Sequence, residues 1–147
     1  MNELLLVVRI AGQRVAFPAV RVESVVELDT LIPVPRAAHH IAGLSALRSR
    51  VLTVICCRCS LGLPPSEAAG GLLEVAVTEQ DGHHYALIVD GVEDVLLATS
   101  DPVPVRAAMG EGWERVSSGM VETEEGALLL VDVSAMLAGP DPVRAAA

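Results

Sequence analysis

Three cysteines crowd into a four-residue stretch as Cys56, Cys57 and Cys59, flanked at a distance by two histidine pairs, His39-His40 and His83-His84. These side chains suit metal or redox chemistry, so their spacing decides whether such chemistry is available. A structural zinc ion needs four ligands converging tetrahedrally. The cysteines read as the end of an apolar strand, on which Cys56 points away from Cys57 and Cys57 shares a face only with Cys59. No second cysteine pair exists, and adjacent histidines on an extended chain diverge in the same way. An odd number of cysteines makes no disulfide framework. The expectation is therefore no metal, no cofactor and three small buried hydrophobes. Catalytic motifs are missing as well: there is no Gly-x-Ser-x-Gly elbow, no phosphate-cradling glycine loop before a helix and no His-Glu-x-x-His. Ser45, Ser117 and Ser118 have no base that the sequence can place. The chain is expected not to be an enzyme.

The elements that position these residues follow from composition. Hydrophobic residues make up 52% of the 147 positions and aromatics only 2%. A core must then be built from Val, Leu, Ala and Ile, a mixture rich in β-branched residues that favours pleated sheet. The length suits one domain, or two very small ones sharing a core. With 19 acidic against 10 basic residues the net charge is −9. Such a surface repels phosphate backbones, and no basic stripe interleaved with aromatics overrides it, which excludes nucleic acid. A basic protein partner would be steered in. No apolar run reaches the roughly 18 residues needed to span a bilayer, so no membrane insertion is expected. Met1-Asn2-Glu3 followed by Leu4 to Val8 lacks a basic leader and a cleavage site and reads as a first strand. A cytoplasmic protein is expected.

Leu4 to Ile10 and Arg14 to Val20 read as strands around the turn Ala11-Gly12-Gln13. The same grammar returns at Leu72 to Thr78 and His83 to Val89 around Asp81-Gly82, a strong two-residue hairpin signal. A third hairpin joins Gly119 to Glu122 with Ala127 to Val133 through a turn ending at Gly126. Val51 to Cys57 and Val92 to Leu97 add two more strands. Helical signals are short: one or two turns at Pro35 to Ile41, and a last turn at Ser134 to Leu137. Residues 63–71, with Pro64-Pro65 and Gly70-Gly71, read as a linker between a first half at 4–62 and a second at 72–137. Residues 139–147 read as a tail.

The halves repeat. An offset of 70 brings Gly12 onto Gly82, Ala16 onto Ala86, and Val22, Glu23 and Val25 onto Val92, Glu93 and Val95. An offset of 76 brings Gly43 onto Gly119, Leu52 onto Leu128 and Leu61 onto Leu137. Each half then holds a hairpin, a Val-Glu-x-Val strand, a Pro-rich crossing and a Gly-started hairpin, about five strands and enough for a small closed barrel.

The segment Ile41-Ala42-Gly43-Leu44-Ser45-Ala46-Leu47-Arg48-Ser49, followed by the apolar strand Arg50 to Arg58, resembles the CheW motif of a glycine, an Asn-Leu-Arg-Gly turn and a strand ending Val-Asp-Leu-Arg. Ile88-Val89-Asp90-Gly91-Val92-Glu93-Asp94-Val95 is similar to the family's second-half Val-Asp-x-Val-x-x-Val pattern, and Gly119 to Leu137 resembles its final hairpin. The likeness runs from about Leu4 to Leu137, over a domain of residues 1–138. The family's Asn, Gly and Asp are here Ala46, Ser49 and Cys56, and its strand proline is Thr53. Cys56 falls opposite Asp132 in the repeat, so the acidic residue survives in one copy only.

The resemblance implies an all-β fold of two intertwined five-stranded SH3-like barrels with one or two short helical turns. It also implies a non-catalytic adaptor that joins the regulatory domain of a chemotaxis histidine kinase to the cytoplasmic tip of chemoreceptors. One half would pack barrel-to-barrel on the kinase domain, and a groove between the halves would take the receptor helix. Arg48, otherwise a solvated loop arginine, then becomes a partner contact offering its guanidinium to a carboxylate or to helix carbonyls. Gly43 begins the same loop, and Leu44 and Leu47 flank Arg48 either as contacts or as core. Val22 and Val95 belong to the Val-Glu-x-Val strands, with packing and interface roles both open. Asp90 forms a local turn or a partner contact. Two other readings remain: a divergent CheW-like scaffold of another chemosensory-type pathway, and a small β-barrel ligand-binding protein or enzyme.

Overall fold

Apolar runs buried on both faces and a left-handed two-residue turn set the first hairpin, β1 (Leu4–Ile10) and β2 (Gln13–Pro18), in the computed structural model, which describes residues 3–65 and 71–140. The hairpin β6 (Leu73–Gln80) and β7 (His83–Ile88) copies it. Its turn Asp81-Gly82 has φ of 54° and 82°, as Ala11-Gly12 has 52° and 81°, the positive pair that a type I′ turn requires. Strands β3 (Ser24–Leu28) and β8 (Gly91–Leu97) follow these hairpins. Then come the closing hairpins β4 (Ile41–Leu47) with β5 (Arg50–Cys56), and β9 (Ser117–Thr123) with β10 (Gly126–Val131).

The strands sort into two five-stranded sheets, β8-β1-β2-β10-β9 and β3-β6-β7-β5-β4. Each curled sheet therefore takes its hairpin from one half of the chain and its other three strands from the other half. The fold is all-β, with the strand exchange of two intertwined barrels. The seams closing the exchange are parallel, and their registers carry the sequence offsets. Val15 and Ala16 face Leu129 and Leu130 in one seam, while Tyr85 and Ala86 face Thr53 and Val54 in the other.

Packing repeats the same correspondence. One sheet encloses Leu5, Val7, Ala16, Ala98, Leu128 and Leu130, and the other encloses Val75, Val77, Ala86, Leu28, Leu52 and Val54, their counterparts one for one. Between the sheets lies a third and largest cluster, including Phe17, Ile55, Leu87, Val131 and Met136. The hairpins cross over at this shared core, so neither set of five strands can close without the other half.

Three short helices seal one end: α1 (Cys57–Ser60), α2 (Glu111–Val116) and α3 (Val133–Ala138). The last covers the turn expected at Ser134 to Leu137. Pro35 to Ile41 instead forms successive hydrogen-bonded turns without a helix, closed by Ala37 N–H to Val34 O and Ile41 N–H to Ala38 O. Cys56 does end β5, but Cys57 and Cys59 lie in α1 and not on the strand. Cys56 Sγ accepts the Cys59 N–H at 3.2 Å, just as Asp132 Oδ1 accepts the Ala135 N–H at 3.1 Å to start α3. The thiol thus replaces the carboxylate as N-cap, though sulfur is the weaker acceptor.

The last turn of α3 leaves carbonyls short of partners within the helix; Ala135 O takes only the Gly139 N–H, at 3.3 Å. Arg115 donates to Ala135 O at 2.6 Å and to Ser60 O at 2.5 Å, and Ser60 Oγ donates to Met136 O at 2.8 Å. His40 Nε2 lies 2.9 Å from Leu137 O; a carbonyl only accepts, so this nitrogen carries the proton. Burial pushes the His40 pKa down, keeping the ring neutral. One arginine, one serine and one histidine from three separate segments so fasten the three helices together.

Candidate functional site

The segment singled out by its resemblance forms the β4–β5 hairpin. Gly43 sits at a bulge where the β4–β5 register shifts. It is buried, and a Cβ there would stand 2.5 Å from the carbonyl oxygen of Ile32. The crossing segment is laced onto the hairpin at this point, with Ile32 and Leu44 exchanging backbone hydrogen bonds of 2.8 Å each way. Gly119 repeats the arrangement against Val103. The glycines therefore fit a close backbone approach. Leu44 is half-buried beside the crossing, and Leu47 packs against the core of its barrel.

Arg48 and Ser49 make the exposed tip of the hairpin, with φ of 52° and 69°. Among the described residues Arg48 makes no hydrogen bond or ion pair, so its guanidinium is free for a partner. The left-handed turn survives the loss of glycine at Ser49, at a steric cost. Ser49→Gly is expected to stabilise the fold by about 0.5–1 kcal/mol, read as a higher urea midpoint. A lower midpoint would show that Ser49 is not strained. Directly behind the tip, exposed Ala46 stands opposite Val51, which is 63% exposed.

The repeat separates two residues that sequence treated alike. Val22 and its counterpart Val92 both pack on the central cluster, whereas Val25 and its counterpart Val95 both face solvent. Val95 lies on β8, the edge strand of its sheet, opposite Leu6, while its neighbour Leu97 stands opposite Leu4. Leu4, Val95 and Leu97 are each 41% exposed or more, giving an apolar strand edge. The matching edge of the other barrel has Glu74, Val25 and Glu27 in those places. Sequence reading missed Leu4 and Leu97, though comparing offset positions for leucine against glutamate would have shown the difference.

Asp90 is engaged within the fold. Its Oδ2 accepts the Ala11 N–H at 2.7 Å and its own N–H donates to Arg9 O at 2.8 Å, tying the β7–β8 turn to the first hairpin. Its other oxygen lies 4.0 Å from Arg58 Nε. Arg58, Asp90, His39 and the three cysteines border a cavity of about 320 Å³ with Leu31, Ala42, Leu73 and Ile88. Burial pushes the Cys57 thiol well up and raises Cys59 to about 12, so both are held as weakly nucleophilic thiols. The structure does not gather the seven candidate residues into one place. Arg48 and Val95 are presented to solvent on different barrels, and Val22, Gly43, Leu47 and Asp90 are occupied with holding the fold.

An apolar strand edge on one barrel and a cationic hairpin tip on the other are the features of a protein-binding module. The family model for the CheW-like domain matches residues 4–140, and the chain belongs to that family. It is 26% identical over 125 residues to the chemotaxis protein CheW of Thermotoga maritima, covering 85% of this chain and 81% of that one. Its fold is that of the scaffolding protein TtCheW from Thermoanaerobacter tengcongensis. The TM-score is 0.73 at 19% identity, over 89% of this chain and 84% of that one. The chain is thus a chemotaxis coupling adaptor. No helix among the described residues is long and apolar enough to cross a membrane.

Proposed function

We propose that this adaptor is non-catalytic and cytoplasmic, and that it binds the regulatory domain of a chemotaxis histidine kinase with one barrel while presenting the Arg48 hairpin to the cytoplasmic tip of a chemoreceptor. The observation that carries the reading is the unequal chemistry of two equivalent strand edges. Leu4, Val95 and Leu97 form an apolar edge where the other barrel has Glu74, Val25 and Glu27. An exposed apolar edge strand is a template for a partner's strand or barrel, so the β8 edge is assigned to the kinase domain. Arg48 supplies a free guanidinium for the acidic groups or terminal carbonyls of a receptor helix. Leu44 and Leu47 border that contact, with Gly43 shaping it.

The test is co-purification of the full chain with a kinase regulatory domain and a receptor-tip fragment. Val95→Asp should weaken kinase-domain binding by at least about 30-fold and leave the receptor fragment bound, because a charge would be desolvated at the contact. Arg48→Glu should do the reverse. A folded wild-type protein that binds neither partner would end the proposal, and equal losses for both variants would end the assignment of faces.

A further inference from the structure

The internal repeat exposes a difference that the adaptor role does not use. In one barrel Glu93 is held by two guanidiniums, with Arg9 at 2.9 Å and Arg14 at 2.5 Å; Arg14 also reaches Glu125 at 2.9 Å. Arg9 and Arg14 face each other across the β1–β2 hairpin. The offset of 70 carries Glu93 onto Glu23, Arg9 onto Glu79 and Arg14 onto His84. Glu79 and His84 likewise face each other across the β6–β7 hairpin. The glutamate is kept, but both of its cations are replaced, by a carboxylate and an imidazole.

Their donor atoms converge. One ligand atom from each of Glu23, Glu79 and His84 lies within 4.8 Å of the others, and His84 Nε2 is 3.6 Å from Glu23 Oε2. Two ligands of a tetrahedral ion at bond lengths of about 2.0–2.1 Å stand roughly 3.4 Å apart, so this pair needs little movement. The backbone holds the three in place: Glu23 N–H donates to Val77 O at 2.7 Å, fixing Glu23 beside β6. His84 is the least exposed of the three, with 17% of its side chain accessible. The cationic group near Glu23 is Arg50, 3.4 Å away and 53% exposed, a surface contact that contributes little and that an ion can displace.

We propose that Glu23, Glu79 and His84 form a site for a divalent cation of the zinc class, the ion standing where Arg9 and Arg14 stand in the other barrel. Two carboxylates and one imidazole suit a borderline ion better than magnesium or calcium, which favour all-oxygen sets. The fourth position is left to water. The proposal departs from the expectation of no metal, which weighed the cysteines and the histidine pairs but not a histidine with two glutamates. His83, on the other face of the strand, takes no part.

Zinc chloride titrated calorimetrically into the full chain, with its thiols reduced, should saturate at one ion per chain. The double variant Glu79→Arg/His84→Arg installs the other barrel's ion-pair set, so it should fold and lose zinc affinity by at least about tenfold. His84→Ala provides the same readout should the double variant fail to fold. Absence of saturable binding in the wild type would overturn the site. So would undiminished binding in the variants, which would place the ion elsewhere.

Discussion

Arg115→Met should destabilise the protein by about 3 kcal/mol, since hydrogen bonds from a charged donor contribute roughly 1.5–3 kcal/mol and the Ser60 carbonyl, stripped of its partner, adds to the loss. Arg115 donates to Ala135 O on α3 and to both Ser60 O and Ser60 Oγ at the end of α1. Ser60 Oγ adds a link from α1 to Met136 O on α3, but Arg115 is the side chain that reaches both helices from α2. Methionine keeps the aliphatic stem and removes the donors. In urea the midpoint should fall while the slope stays unchanged, and the melting temperature should drop by about 6–12 °C. A loss below about 1 kcal/mol would mean that water satisfies these carbonyls, and that the helical junction is not held by the arginine.

Gly43→Ala should cost about 3 kcal/mol or more through a different route. Its Cβ would meet the Ile32 carbonyl oxygen at 2.5 Å and the Leu31 side chain at 3.0 Å. The first of these is backbone and cannot swing aside. Relief requires the crossing segment to move, which breaks the paired hydrogen bonds between Ile32 and Leu44, and disruptions of this kind lie in the severe tail of single substitutions. Gly119→Ala should behave alike, because Gly119 has φ of 112° and a Cβ there would stand 2.7 Å from Val103 O. Chemical denaturation of both variants checks this. An unchanged midpoint for Gly43→Ala, with loss of partner binding, would instead make Gly43 a contact residue and not a packing one.

Much of this architecture was legible before any coordinates. Turns at Ala11-Gly12 and Asp81-Gly82, apolar β-branched runs, and the paired offsets are all local or translational properties of the chain. The hairpin residues around Gly43, the Val-Asp-Gly-Val stretch and the hairpin from Gly119 to Leu137 carried the resemblance to the family through their order across both halves. The helices were less legible. α1 has 4 residues and α2 has 6, too short for a period of 3.6 to register, and the capping residue of α1 is a thiol where a carboxylate would have announced it.

By itself, then, the sequence determined the strands, their hairpins, the duplication and the class of protein, because periodicity and turn chemistry act between near neighbours. Only the tertiary structure decided which strands pair, since an apolar run marks a buried strand without naming the sheet that takes it. That choice sends β1 and β2 into the barrel of the second half, turns Val22 inward and Val95 outward, and engages Asp90 in the fold while leaving Arg48 free. It also brings Glu23 beside Glu79 and His84, residues as many as 61 positions apart, because strand exchange sets the first half's β3 against the second half's β6.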